Sequence, residues 1–255
     1  MPITRRALLI ANPGEIGQEN YCRGVYVDIH NYRQFLASAS GGAWNDDVEI
    51  FTLNKPTKKE LALPLIKCEL ADYSFILFTG HGCFSEELQE PVLDLGSGET
   101  ICLSDLLAPN TKRTVILDCC QKVERTELLE NRNIIKAAMA ETRRREPNRE
   151  KCRQVFDAQI AAASTCSVIP QSCCKDEYST ADNELGSRYA TSLIVAADRW
   201  ASEQATTSWL SEDSYSIVAA HERAAAMTSR LSAGDQNPTI SKAKTGPYFP
   251  FAVFG

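Results

Sequence analysis

The chain has 255 residues, 44% of them hydrophobic, enough to bury one substantial core and to suit a single α/β domain over residues 1–255. Its 27 basic and 33 acidic residues give a formal charge of -6, which excludes the sequence-wide positive field that nucleic acid or an anionic lipid surface would call for. Arg5 and Arg6 precede a short apolar run, Ala7 to Ala11, that Pro13 interrupts, and no run approaches the roughly 20 residues of a membrane span. Neither nucleic acid nor a membrane is therefore expected as a partner, and a cytoplasmic location is the expectation.

In chain order, short β-rich apolar runs recur at Arg6 to Asn12, Val48 to Asn54, Tyr73 to Thr79, Arg113 to Asp118 and Ala158 to Thr165. Continuous apolar runs of this length fit strands buried on both faces, hence a largely parallel sheet covered by helices. Apolar positions at helical spacing predict helices over 21–38, 57–70, 184–203 and 212–232. The closing PYFPFAVF reads as a last strand, its prolines placing it at an edge or in an irregular position. Between residues 122 and 153 the pattern breaks: ten basic residues stand against six glutamates, so the stretch is locally +4 and reads as a surface loop or helical insertion.

Ten cysteines without an export signal read as reduced thiols rather than a disulfide framework. The adjacent pairs Cys119-Cys120 and Cys173-Cys174 lack the C-x2-C spacing of a zinc knuckle, and no metal or other cofactor is expected. The third apolar run ends in Thr79-Gly80-His81-Gly82 and the fourth in Asp118-Cys119-Cys120-Gln121. In an open parallel sheet, reactive groups gather at the carboxyl ends of neighbouring strands, so these two ends are candidates for one site. Glycines beside His81 permit a tight turn and leave the Gly82 N–H free to face a ligand. His30 and His221 fall within amphipathic helical patterns, where a solvated or capping role is the default.

The pair FTGHG and LDCCQ resembles the His-Gly and Asp-x-Cys motifs of caspase-like cysteine peptidases, the clan of caspases, metacaspases and paracaspases. The motif form is most similar to prokaryotic metacaspase-like proteins, although Gln121-Lys122-Val123 stands where metacaspases continue His-Ser-Gly. Gly24-x-x-x-Asp28 and Gly186-Ser-Arg-Tyr-Ala-Thr resemble two outer elements of that family. The resemblance implies a three-layer sandwich with a mostly parallel six-stranded sheet flanked by helices. It also implies Cys120 as nucleophile, His81 as acid/base, and Gly82 and Cys120 N–H groups as the oxyanion hole. Cys119 is the rival nucleophile. Adjacent strand residues face opposite sides, so one of the pair can face the His81 loop, and the Asp-x-Cys match selects Cys120.

By the same resemblance, Asp28 and Asp118 form an acidic pocket for an Arg or Lys before the scissile bond, making the chain an endopeptidase on protein substrates. A compact domain of this kind suggests an effector of microbial defence or cell death, acting below a sensor or an activating protease. The loop after the nucleophile is often cut during maturation in such peptidases, and Arg143, Arg144, Arg145 and Arg149 are candidates for a cut between residues 142 and 153. Two other readings compete. A non-peptidase Cys hydrolase or acyltransferase on a flavodoxin-like fold would place a Gly-rich phosphate loop where Asn12-Pro13-Gly14-Glu15 stands. A catalytically inactive interaction module would have no need to keep both His81 and Cys120.

Overall fold

The computed structural model of the chain describes residues 3–119, 146–207 and 213–255. Five apolar runs build most of the central sheet: β1 (Arg5–Asn12), β2 (Ile50–Asn54), β3 (Tyr73–Gly80), β7 (Arg113–Cys119) and β8 (Ser167–Gln171), joined at one edge by β12 (Thr239–Ser241). The order across the sheet is β12-β8-β7-β3-β1-β2. The pairings β8-β7, β7-β3, β3-β1 and β1-β2 are parallel, and β12 alone runs antiparallel against β8. This is the six-stranded, mostly parallel sheet that the resemblance implies.

Both faces are covered, which is why these strands read as unbroken apolar runs. Alternation sends Ala7, Leu9, Phe75, Leu77 and Ile116 to one face. There they pack against α1 (Gly24–Ala37), α3 (Arg149–Ala162), α4 (Arg188–Thr207) and α5 (Ile217–Leu231). Leu8, Ile10, Ile76, Phe78, Val115 and Leu117 face the other side, against α2 (Lys58–Glu69) and a three-stranded antiparallel sheet. That small sheet consists of β4 (Gly82–Ser85), β5 (Glu90–Asp94) and β6 (Thr100–Cys102), inserted between β3 and β7. α2 begins at a capping box, in which Thr57 and Glu60 satisfy each other's orphan N–H groups. Two short sheets complete the molecule: β9 (Ala181–Asp182) with β10 (Gly186–Ser187), and β11 (Asp213–Ser216) with β13 (Pro250–Phe254).

Two sequence expectations need correction. The run Ala158 to Thr165 is not a strand: residues 158–162 are the last turns of α3, which Asn148 caps by accepting from the Lys151 N–H at 3.0 Å. Its buried positions, Cys152, Val155, Phe156 and Ile160, have helical spacing, and the alanines that follow favour a helix intrinsically. The strand lies instead at β8, whose ladder to β7 pairs Ser167, Val168 and Gln171 and passes over Pro170, a residue without an N–H. Of the charged segment, residues 146–153 are described. From Arg149 onward it belongs to α3, with Cys152 in the core and Arg153 paired to Glu49 at 2.6 Å. Residues 120–145 lie outside the described residues. Finally, His221 is neither solvated nor a cap. It is buried on α5, where its Nδ1 shares a 2.7 Å hydrogen bond with the Tyr189 hydroxyl and burial pushes its pKa down to about 4.

Candidate active site

β3 and β7 run side by side in register, Thr79 opposite Asp118 and Gly80 opposite Cys119. The chain therefore leaves both strands at the same carboxyl edge, and the next residues are His81 and Cys120. Cys120 itself lies outside the described residues. His81 occupies the link between β3 and β4, its carbonyl accepting from the Asp94 N–H at 3.0 Å. Its Nε2 is buried and has no hydrogen-bond partner among the described residues. A ring nitrogen kept dry and unpaired is available to a reacting group.

The ring fits against the loop after β1 because position 14 is glycine. A Cβ there would lie 2.9 Å from His81 Nε2, and the local φ of +81° is one that side chains rarely adopt. Gly82 opens β4, paired with Leu93. Cys119 is buried with Leu93 and Leu117 on the α2 side of the sheet, its Sγ 3.3 Å from where a Gly82 Cβ would stand. Asp118, one residue earlier on β7, faces the opposite side.

Asp28 and Asp118 stand on that opposite side, on α1 and at the end of β7, with 1% and 3% exposure. One element ties them together. Ser187, at the end of β10, donates its N–H to Asp28 Oδ1 at 2.8 Å and its hydroxyl to Asp118 Oδ2. The Thr79 hydroxyl donates to Asp28 Oδ2 at 3.1 Å, and the Ser179 hydroxyl to Asp118 Oδ1 at 2.9 Å. Gly186 makes this approach possible: its φ is +81°, and a Cβ would lie 2.1 Å from Asp28 Oδ1.

Among the described residues no cation pairs with either carboxylate. Burial accordingly pushes the Asp28 carboxyl well above the usual range, and the negative field of Asp118 adds to the rise. Burial also raises Asp118, against the lowering effect of its hydroxyl donors. Tyr32 and Tyr189, whose hydroxyls are raised by burial and then by the Asp118 charge, wall in the same space.

The family model of the caspase domain matches residues 4–249. The chain belongs to the caspase-domain family. It is a cysteine peptidase, a hydrolase whose substrates are proteins. Its fold is similar to that of caspase-1 from Spodoptera frugiperda, with a TM-score of 0.59 at 13% identity, covering 98% of this chain and 92% of that one. No curated protein sequence matches it.

For this caspase-domain peptidase, the structure brings His81 and the end of β7 to one edge, and Asp28 and Asp118 into one buried cluster. Arg149 is placed apart from both, in the first turn of α3, with its guanidinium donating to the carbonyls of Ala37 and Trp44. Arg143, Arg144 and Arg145 lie outside the described residues. Among the described helices, none is long and apolar enough to cross a membrane.

Sequence reading missed Thr79, Ser179 and Ser187, the three donors that hold the carboxylates. The one available pointer was Gly186-Ser187, which opens an element that resembles the family and stands at the start of α4. The hydroxyl acts as that start, since Ser187 Oγ also accepts from the Ala190 N–H at 3.0 Å.

Proposed function

We propose that this peptidase cleaves after Arg or Lys by a Cys120–His81 dyad, with Asp28 and Asp118 receiving the basic side chain. The observation that carries this reading is the buried carboxylate pair, which no cation among the described residues joins. Two carboxyls held by four donated hydrogen bonds cannot both ionise cheaply, whereas a guanidinium or ammonium entering between them would neutralise the site. An Asp side chain would add a third negative group there.

In the reaction, the Cys120 thiol gives its proton to His81 and the sulfur attacks the scissile carbonyl. The tetrahedral oxyanion is held by the N–H groups of Gly82 and Cys120, an arrangement in which one donor is typically worth about 3 kcal/mol. The C–N bond breaks as His81 protonates the departing amine, leaving a thioester on Cys120. His81 then takes a proton from water, which attacks the thioester and releases the acid and the thiol. A cleavage profile on a proteome-derived peptide library tests the specificity. Cuts after Arg and Lys are expected, and a preference for Asp before the cut bond would sink the acidic-pocket reading.

The resemblance to metacaspase-like proteins supports a cytoplasmic effector of microbial defence or cell death, answering to an upstream protease or sensor. Maturation by a cut among Arg143, Arg144 and Arg145 fits the same pocket, and Pro147 disfavours helix directly after them. Arg149 is the poorest of the four candidates, because a cut after it must open the first turn of α3. The fragments would stay together, since β7 and β8 pair across the cut. Intact-mass analysis of wild type beside Cys120→Ala is expected to show two fragments in wild type alone. Fragments in neither protein, under conditions where wild type cleaves peptides, would exclude self-processing here.

A further inference from the structure

We propose that the cleft beside His81 receives the part of the substrate that leaves, and that Asp94 makes it favour a basic residue in the first two positions after the cut bond. The proposal builds on the peptidase reading above. The cleft has a volume of about 530 Å³ and opens over the carboxyl ends of three neighbouring strands, where Asn12 ends β1, Lys55 follows β2 and His81 follows β3. Pockets of about 300–1,000 Å³ hold small ligands, so a short segment of extended chain fits.

Position in the sheet gives the cleft its role. β3 stands between β7 and β1, so His81 has the Asp118 carboxylate on one side and the cleft on the other. A general acid must stand at the nitrogen it protonates. A substrate whose basic side chain reaches Asp28 and Asp118 therefore runs past His81, and the residues beyond the scissile bond continue into the cleft.

The lining gives the cleft its preference. Besides His81, the acidic and basic side chains that line it are Glu15, Lys55, Asp94 and Glu99. Glu15 is paired with Lys55, so those two cancel. Glu99 accepts from the Lys58 N–H and is occupied at the start of α2. Asp94 is different. Its backbone is fixed by the His81 carbonyl and by the Asn12 side chain, which donates to the Asp94 carbonyl at 2.8 Å. Its carboxylate has no ion pair or hydrogen bond among the described residues. Asp94 thus places beside the acid/base a carboxylate that no cation among the described residues compensates. That charge attracts a Lys or Arg on the leaving side, as well as the α-ammonium that the released product carries at neutral pH, and repels Glu or Asp.

A peptide library randomised on both sides of the bond, read by mass spectrometry, reports the preference before and after the cut independently. A failure of the Arg/Lys expectation therefore leaves the leaving-side result readable. Lys over Glu in the first two leaving positions is expected by about fivefold, the upper range for a solvent-reached ion pair. The ratio is expected to fall to within about twofold in Asp94→Asn and to invert in Asp94→Lys. Glu15→Gln, at an exposed position, frees Lys55 and is expected to lower the ratio as well, so the idea does not depend on one variant folding. Should no peptide be cut, binding to Cys120→Ala protein still decides. Product-side peptides beginning Lys-Lys are expected to shift the backbone amide resonances around His81 and Asp94 at lower concentration than peptides beginning Glu-Glu. Equal handling of Lys and Glu by wild type, or a ratio unchanged in Asp94→Asn and Glu15→Gln, would overturn the proposal.

Discussion

Alanine at Cys120 or at His81 is expected to lower the kcat/KM for peptide cleavage by at least about a thousandfold, with the double variant scarcely worse than either single one. The reason is that the two side chains carry one proton between them. Without His81 the thiol is not deprotonated on attack and the amine departs unprotonated; without Cys120 there is no acyl-enzyme for His81 to assist. His81 is suited to that task because its Nε2 is buried and has no partner among the described residues that competes for the proton. Neither substitution removes a described hydrogen bond of the His81 imidazole, so thermal midpoints are expected to stay within a few degrees of wild type. Full activity in Cys120→Ala would transfer the nucleophile to Cys119. That transfer would require the backbone to rotate, because the Cys119 side chain packs with Leu93 and Leu117 on the α2 face.

Much of this edge was legible in the sequence, for a physical reason. Strands buried on both faces must be apolar throughout, so β1, β3 and β7 announce themselves, and the polar residues that close β3 and β7, Thr79-Gly80-His81 and Asp118, mark their carboxyl ends. Parallel pairing then brings the ends together. What stayed hidden depends on tertiary contact. Ser179 sits between predicted elements and Ser187 within the helix predicted over 184–203, and only the docking of the β9–β10 hairpin on α1 carries Ser187 to Asp28, a separation of 159 positions. His221 reads as solvated or capping because it falls within an amphipathic helical pattern, yet α5 turns that position toward Tyr189. Likewise, the alanines at 161–163 are compatible with either a strand or a helix, and the helical period that decides between them begins earlier, inside a segment that reads as a charged insertion.

The second large effect is expected at the carboxylate pair, where one substitution should move activity and stability in opposite directions. Asp28→Asn keeps an oxygen to accept from the Ser187 N–H and gains an amide that can donate to the Thr79 hydroxyl, so the hydrogen-bond frame survives while one buried charge disappears. Cleavage after Arg or Lys should then fall by at least about thirtyfold, the consequence of removing one partner from a buried, hydrogen-bonded charge contact worth roughly 2–5 kcal/mol. Stability should rise at neutral pH, because the wild type buries two carboxyls that no cation among the described residues neutralises. Both carboxyls have folded-state pKa values raised above their unfolded ones. The folded protein therefore holds protons more tightly than the unfolded chain. The stability linked to them is fully present below the unfolded value of about 3.9 and is lost as pH rises through the folded values. The advantage of Asp28→Asn should consequently be absent near pH 3.5 and grow toward pH 8, reaching a Tm gain of at least about 2 °C, the shift that about 1 kcal/mol gives a domain of this size. Thermal scans of both proteins from pH 3.5 to 8, beside kcat/KM on Arg and Lys peptides, separate the possibilities. A variant less stable than wild type at pH 8 would mean that Asp28 is held ionised by a cation in the folded chain. Undiminished cleavage after Arg would place the basic side chain of the substrate elsewhere.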